Sequence, residues 1–166
     1  LMRDLGARLG LAEAGARLDL TLNDALDAVR ARTKDRPRPR VLLVIGREAG
    51  SLRSIRASGG FGFLHDLLEC AGGENVFADV KRESIDVTLE AILARIPDVI
   101  IELHYQERPS DAAVEAERAA WRPLAAVPAV RNGRVVLLYG GELVVPGPRV
   151  SRTAALFADA IHSGIR

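Results

Sequence analysis

The pattern of apolar and polar positions changes its period along the chain, and the changes mark out elements. Residues 41–46 read Val-Leu-Leu-Val-Ile-Gly, a short unbroken apolar run behind the polar, proline-broken stretch 34–40. A run this short, rich in β-branched residues and ended by glycine, predicts a strand buried on both faces. Two further runs share that character, Asp-Val-Ile-Ile-Glu-Leu at 98–103 and Arg-Val-Val-Leu-Leu-Tyr at 134–139. Helical spacing fills the intervals, so the pattern predicts an α/β protein. It is a three-layer, Rossmann-like arrangement with a mostly parallel sheet, preceded by a long helix.

Ahead of the first strand, Leu5 and Leu9 lie one helical turn apart, with Gly10 as a stop. A longer helix follows over 12–31, with Leu18, Leu22, Leu26 and Val29 on its apolar face and Arg17, Asp24, Asp27 and Arg30 opposite. Pro37 and Pro39 forbid helix just before the strand. Residues 47–60 show no period and read as one long loop. Residues 61–70 form a helix with Phe63, Leu64, Leu67 and Leu68 inward, followed by a brief Val76-Phe77 segment. Asp86 is placed to cap a helix over 87–95 that buries Leu89, Ile92 and Leu93. Ser110 or Asp111 caps a helix running to about Trp121, and 123–130 is irregular. Asn132-Gly133 turns the chain into the third strand. Pro148 opens a last helix carrying Val150, Ala154, Phe157 and Ile161.

Composition narrows the function classes. A chain of 166 residues suits one domain, and a net charge of +1 gives no general pull towards nucleic acid or anionic membrane. Cys70 is alone and forms no internal disulfide; on its apolar helix it reads as a small core residue. No apolar stretch reaches the ~20 residues of a membrane helix. Walker loop, Gly-x-Ser-x-Gly elbow and zinc-type histidine pair are all missing, so the chain reads as no enzyme, with no metal site and no cofactor. His65, His104 and His162 stand far apart, His65 as a surface residue; Trp121 packs a helix end onto the sheet.

In an open parallel sheet, ligands bind outside the carboxyl ends of the strands. That selects the loops 47–60, 104–109 and 139–147, which offer Arg47, Arg53, Arg56, His104, Tyr105, Arg108, Tyr139 and Glu142. Such a set suits a partly polar ligand, an anionic one included, although each residue singly also fits a solvated loop.

Residues 64–76, Leu-His-Asp-Leu-Leu-Glu-Cys-Ala-Gly-Gly-Glu-Asn-Val, add a second line of reading. So do Val-Thr-Leu-Glu-Ala-Ile-Leu-Ala-Arg-Ile-Pro-Asp-Val-Ile-Ile at 87–101, Trp121, Val-Pro-Ala-Val-Arg-Asn-Gly-Arg-Val at 127–135 and Pro-Gly-Pro-Arg at 146–149. In this order and spacing the chain resembles the substrate-binding proteins of ABC importers for cobalamin, haem and iron-siderophores. The resemblance implies a periplasmic or lipid-anchored receptor that captures a metal chelate and hands it to ABC permease subunits. It implies that 1–36 is an inter-lobe helical connection and linker, that 37–166 is the C-terminal lobe, and that an N-terminal lobe is missing. The leader would be missing as well. Glu90 matches the family's permease-docking glutamate; in a helix's first turn it also complements the helix dipole. Ser84 falls near a position where cobalamin binders place an aromatic ring. With only 4% aromatic residues it weighs against cobalamin, which still comes first, with haem and ferric siderophore close behind. Two other classes remain open. A small doubly wound signalling or enzyme domain would want acidic strand ends, where Arg47, His104 and Gly140 stand instead. A structural or oligomerisation module is the third. A missing lobe would uncover Leu1, Met2, Leu5 and Leu9, and Gly6, Gly10 and Gly15 would let the first helices hinge. Self-association through residues 1–29 is therefore expected.

Overall fold

The computed structural model describes residues 2–163. Six strands form one sheet: β1 (Arg40–Gly46), β2 (Arg56–Ser58), β3 (Glu74–Asn75), β4 (Ser84–Asp86), β5 (Val99–His104) and β6 (Val135–Tyr139). Their order is β4-β2-β1-β5-β6, with β3 pairing the start of β1. The three apolar runs become β1, β5 and β6 and run parallel, with Val41 opposite Val99 and Ile100 opposite Val135. Only β1 and β5 are central; β6 is the sheet's edge and, past Val135, only half-buried, so its run is not buried on both faces as expected. β2 runs antiparallel to β1 and to β4, which makes the sheet mostly parallel with a folded-back edge.

Alternation along the strands sorts the core into two layers, because successive side chains leave opposite faces of a strand. Val41, Leu43, Val99, Ile101 and Leu103 pack against α2 (Ala12–Thr33), α3 (Phe63–Cys70) and α7 (Val150–His162) through Val29, Leu64, Leu68, Phe157 and Ile161. Leu42, Val44, Ile100 and Val135 face Ile92 of α4 (Leu89–Arg95), Trp121 and Leu124. Cys70 is buried in the first layer and Trp121 in the second.

Several expected details change. The stretch 47–60 is not all loop, since Arg56–Ser58 pairs on both sides as β2. Three-residue polar strands leave no period to read. The strand after α3 is Glu74–Asn75, while Phe77 turns into the core. Asp86 does not cap α4, because it ends β4 opposite Arg56; the cap is Thr88, whose hydroxyl accepts from the Ala91 amide at 3.2 Å. Leu93 points to solvent. The helix after Ser110 is α5 (Asp111–Ala119), and the stretch after it holds a 3₁₀ turn (Arg122–Leu124) and the short α6 (Pro128–Arg131). His65 is half-buried, with its Nδ1 3.4 Å from the Asn75 amide.

The start of the chain is a helical hairpin of α1 (Met2–Arg8) and the first half of α2. Its glycines do not form a hinge. A Cβ on Gly6 would stand 2.9 Å from the Gly15 Cα, so these two let the helices touch, and only Gly10, at φ +70°, makes the turn. Leu22 and Leu26 are half-buried, whereas Leu18 is exposed together with Leu5, Leu9, Leu11 and Leu20. Leu1 lies outside the described residues.

Candidate ligand-binding site

The carboxyl ends of β1, β5 and β6 bring Gly46, His104 and Tyr139 to one edge of the sheet. Beneath that edge lies a cavity of about 210 Å³ lined by Arg47, Glu102, His104, Tyr105, Glu117 and Tyr139, among others. A Cβ at Gly46 would meet the Tyr105 hydroxyl at 3.0 Å, a contact that the exposed end of that side chain can swing to relieve. The His104 and Tyr139 rings stack at 4.6 Å.

A buried charge network forms the cavity wall. The Arg47 and Glu102 side chains are 1% and 2% exposed, and Arg47 Nε lies 3.0 Å from Glu102 Oε1. Glu102 Oε2 accepts from the Trp121 indole at 2.8 Å. The other Arg47 nitrogens donate to the carbonyls of Glu48, Ser51 and Glu117 and, at 2.7 Å, to the Glu117 carboxylate. Glu117 also accepts from the Gly50 amide. Arg47 thus ties the loop after β1 to β5 and α5. Burial works against the Glu102 charge, but the contacts from His104 and Trp121 and the Arg47 guanidinium outweigh it. They hold its carboxyl below the usual range. Burial, then the nearby Glu102 and Glu117 charges, push the Tyr139 hydroxyl up.

Three polar atoms of this wall lack a directed partner: Arg47 Nε, His104 Nε2 and the Tyr139 hydroxyl. The two nitrogens stand 3.0 and 3.1 Å from Glu102 Oε1 without hydrogen-bond geometry, so those contacts are contacts of charge and proximity.

Beside the cavity runs an open groove of about 800 Å³, lined by Arg47, Glu48, Ser54, Arg56, Asp86 and Tyr105. Ser54 holds a left-handed φ of 51°, an uncommon conformation for a non-glycine residue. A smaller apolar hollow near it includes Phe61, Phe63 and Ser84.

The eight expected site residues therefore divide. Arg47, His104, Tyr105 and Tyr139 come together in the cavity, and Arg56 joins Tyr105 in the groove. Arg53 is exposed and lines neither; Arg108 pairs with Asp111 at 2.7 Å, and Glu142 faces Arg152 at 3.7 Å. Glu102 and Glu117 were not foreseen. Glu102 had a signal, since a carboxylate inside a strand expected to be buried on both faces demands a partner.

Glu90 is exposed in the first turn of α4. Its own backbone amide and the Thr88 hydroxyl hold its carboxyl below the usual range. α4 begins three residues after Asp86, which sits opposite Arg56 and so beside the end of β1. Among the described residues no cluster of His, Cys, Asp and Glu is arranged to hold a metal ion, and no helix is long and apolar enough to cross a membrane.

A family model described as periplasmic binding protein matches residues 1–140, which include all six strands. The chain belongs to that family. An ABC transporter substrate-binding protein from Listeria monocytogenes EGD-e superposes with a TM-score of 0.83 at 22% identity, over 98% of this chain and 62% of that one. A periplasmic heme binding protein from Pseudomonas aeruginosa is 28% identical, with a TM-score of 0.73, over 99% of this chain and 59% of that one. An ABC-type Fe3+-hydroxamate transport system from Saccharomonospora viridis DSM 43017 gives 25% and 0.79, over 96% of this chain and 53% of that one. This periplasmic binding protein chain thus spans between about half and just under two thirds of those structures. No curated protein matches it.

Proposed function

We propose that the chain is the C-terminal lobe of the substrate-binding component of an ABC importer for a metal chelate, with cobalamin first and haem or ferric siderophore as alternatives. The observation that carries this reading is the family match across every strand of the sheet. The groove and cavity at the strands' carboxyl ends support it, because they lie where the parallel-sheet rule puts ligands and the groove has the volume of a small-molecule site. Such a receptor binds and releases without making or breaking bonds, so it is no enzyme. It works outside the cytoplasm, periplasmic or lipid-anchored, and residues 1–36 connect it to a further lobe.

In this reading Arg47, Arg56, His104, Tyr105 and Tyr139 face the ligand, with Arg53, Arg108 and Glu142 on the rim. Glu90 docks on the permease. The uncovered leucines of the hairpin favour self-association of the isolated lobe. Amide-shift mapping during titration with cyanocobalamin, haemin and a ferric hydroxamate tests the placement. The expected shifts fall in 46–58, 102–106 and 137–142. Shifts confined to the opposite sheet edge, near 36–40 and 132–135, would overturn it.

A further inference from the structure

The cavity is too small for a whole chelate. Its roughly 210 Å³ falls below the ~300–1,000 Å³ of sites that enclose a complete small molecule, so it takes one projecting arm while the body lies in the groove. Which arm fits follows from its wall.

Charge comes first. The charged residues lining it are two carboxylates, Glu102 and Glu117, and one guanidinium, Arg47, before any charge on His104. The four terminal N–H groups of Arg47 are taken, by Glu48, Ser51 and Glu117. Its one unpartnered N–H, on Nε, is buried against Glu102. The arginines just outside are engaged as well, Arg108 with Asp111 and Arg118 with Glu115. A third carboxylate entering here would meet two like charges with no unpaired cation among the residues that line the cavity, in a setting where such repulsion is poorly screened.

Hydrogen bonding comes second. The Tyr139 hydroxyl and His104 Nε2 are buried without a directed partner, while the Glu117 carboxylate on the same wall accepts. An amide answers Tyr139 and Glu117, its carbonyl accepting from the one and its N–H donating to the other, while His104 Nε2 stays beside Glu102 Oε1. A hydroxyl can do the same with one oxygen.

Taking the receptor reading as the frame, we infer that the cavity selects ligands by a neutral amide or hydroxyl arm and discriminates against a carboxylate arm. This is a rule about substituents, independent of which metal chelate carries them.

Matched ligands isolate the rule. Cyanocobalamin is compared with its monocarboxylic derivatives, in which one side-chain amide becomes an acid, and haemin with its bis-amide. Binding to this chain is followed by NMR titration. The amide member of at least one pair should bind about tenfold more tightly than its acid. Glu117→Gln should narrow that gap by admitting the acid. Tyr139→Phe, with the fold checked by circular dichroism, should weaken the amide member alone. Acids that bind as well as or better than their amides would overturn the inference and leave the receptor reading in place. If no member of either pair shifts any resonance near the strand ends, both fall together.

Discussion

Two regions of this molecule invert the usual sorting of residues in opposite ways. At the strand ends it buries charge, with Arg47 and Glu102 almost fully enclosed. In the hairpin it exposes apolar surface, with Leu5, Leu9, Leu11, Leu18 and Leu20 open to solvent and Leu9 64% exposed. The buried charges have their partners inside the chain: Glu102, Glu117, the Trp121 indole and three carbonyls. The leucines have none within the described residues that removes them from water. A buried ion network is therefore an internal matter of folding and site shape, whereas uncovered leucines are an external one, governed by whatever else is present.

The sharpest way to break the first half of that contrast is Glu102→Ala. It leaves the Arg47 guanidinium buried beside Glu117 alone, and removing one partner of a buried pair costs about 3–5 kcal/mol. Because Glu117 still neutralises Arg47, the lower end, about 3 kcal/mol, is expected in urea denaturation. A loss below about 1 kcal/mol would show that the network is solvated. The same carboxylate gives a pH signature. Its folded pKa lies below the unfolded one, so its contribution is present above the ordinary Glu range, near ~4.3, and is lost as pH falls through the depressed value. Wild-type stability should fall with acid below that range, and Glu102→Gln should flatten the fall.

Much of the fold was legible because the central strands announce themselves. The stretches 41–46 and 98–103 are apolar on both faces and lie in the middle of the sheet, as runs that short and β-branched suggest; 134–139 has the same pattern but forms the edge, where its second face stays half open. The cap of α4 is less legible: Asp86 and Thr88 both suit an N-cap by residue type, and the choice falls to Thr88 because Asp86 is still paired in β4. The site was half legible. Placement after strands picked out Arg47, His104, Tyr105 and Tyr139. Glu102 and Glu117 are 55 and 70 positions from Arg47, and pairing over such separations leaves no local pattern. For the same reason Arg47, expected to meet a ligand with its charge, has that charge answered within the chain.

A second test works on the hairpin's own packing. A Cβ on Gly15 would stand 2.6 Å from the Met2 carbonyl, backbone that cannot swing aside. Gly15→Ala should force α1 away, at the ~1–3 kcal/mol typical of overpacking, in spite of alanine's better helix propensity. Hydrogen exchange should rise in 2–20 and stay unchanged in 98–104. Unchanged exchange in the hairpin would mean that the crossing is looser than the Gly6–Gly15 approach implies.

His162 supplies a smaller, graded probe at the far edge of the sheet. Its Nε2–H donates to the Ala71 carbonyl at 3.1 Å, and the ring is buried. Burial first, then the charges of Arg36, Arg134 and Arg32, hold its pKa below the usual value. A depressed folded pKa means the unfolded chain takes up the proton first, so stability is full above about 6.5 and declines as pH falls through that value towards the folded one. His162→Gln, which keeps a donor for Ala71, should remove this decline below about pH 6.5. If the variant shows the same slope as the wild type, the titrating group lies elsewhere.

The smallest effect on folding is expected where the surface is most unusual. Leu9 and Leu18 are exposed, so replacing both with Gln removes little buried area and should change unfolding free energy by no more than about 0.5 kcal/mol. What should change is association. Exposed apolar side chains brought together from two copies gain roughly 25 cal/mol per Å² removed from water, against the translational and rotational freedom lost on pairing. Five leucines on one hairpin can tip that balance at high protein concentration, and two glutamines in their place should tip it back. Sedimentation velocity across a concentration series, run on both proteins, separates the outcomes. Wild type should shift to heavier species as concentration rises, and the double variant should not. A wild type that stays monomeric throughout would show that these leucines are tolerated in water, and the contrast with the strand ends would then lose its external half.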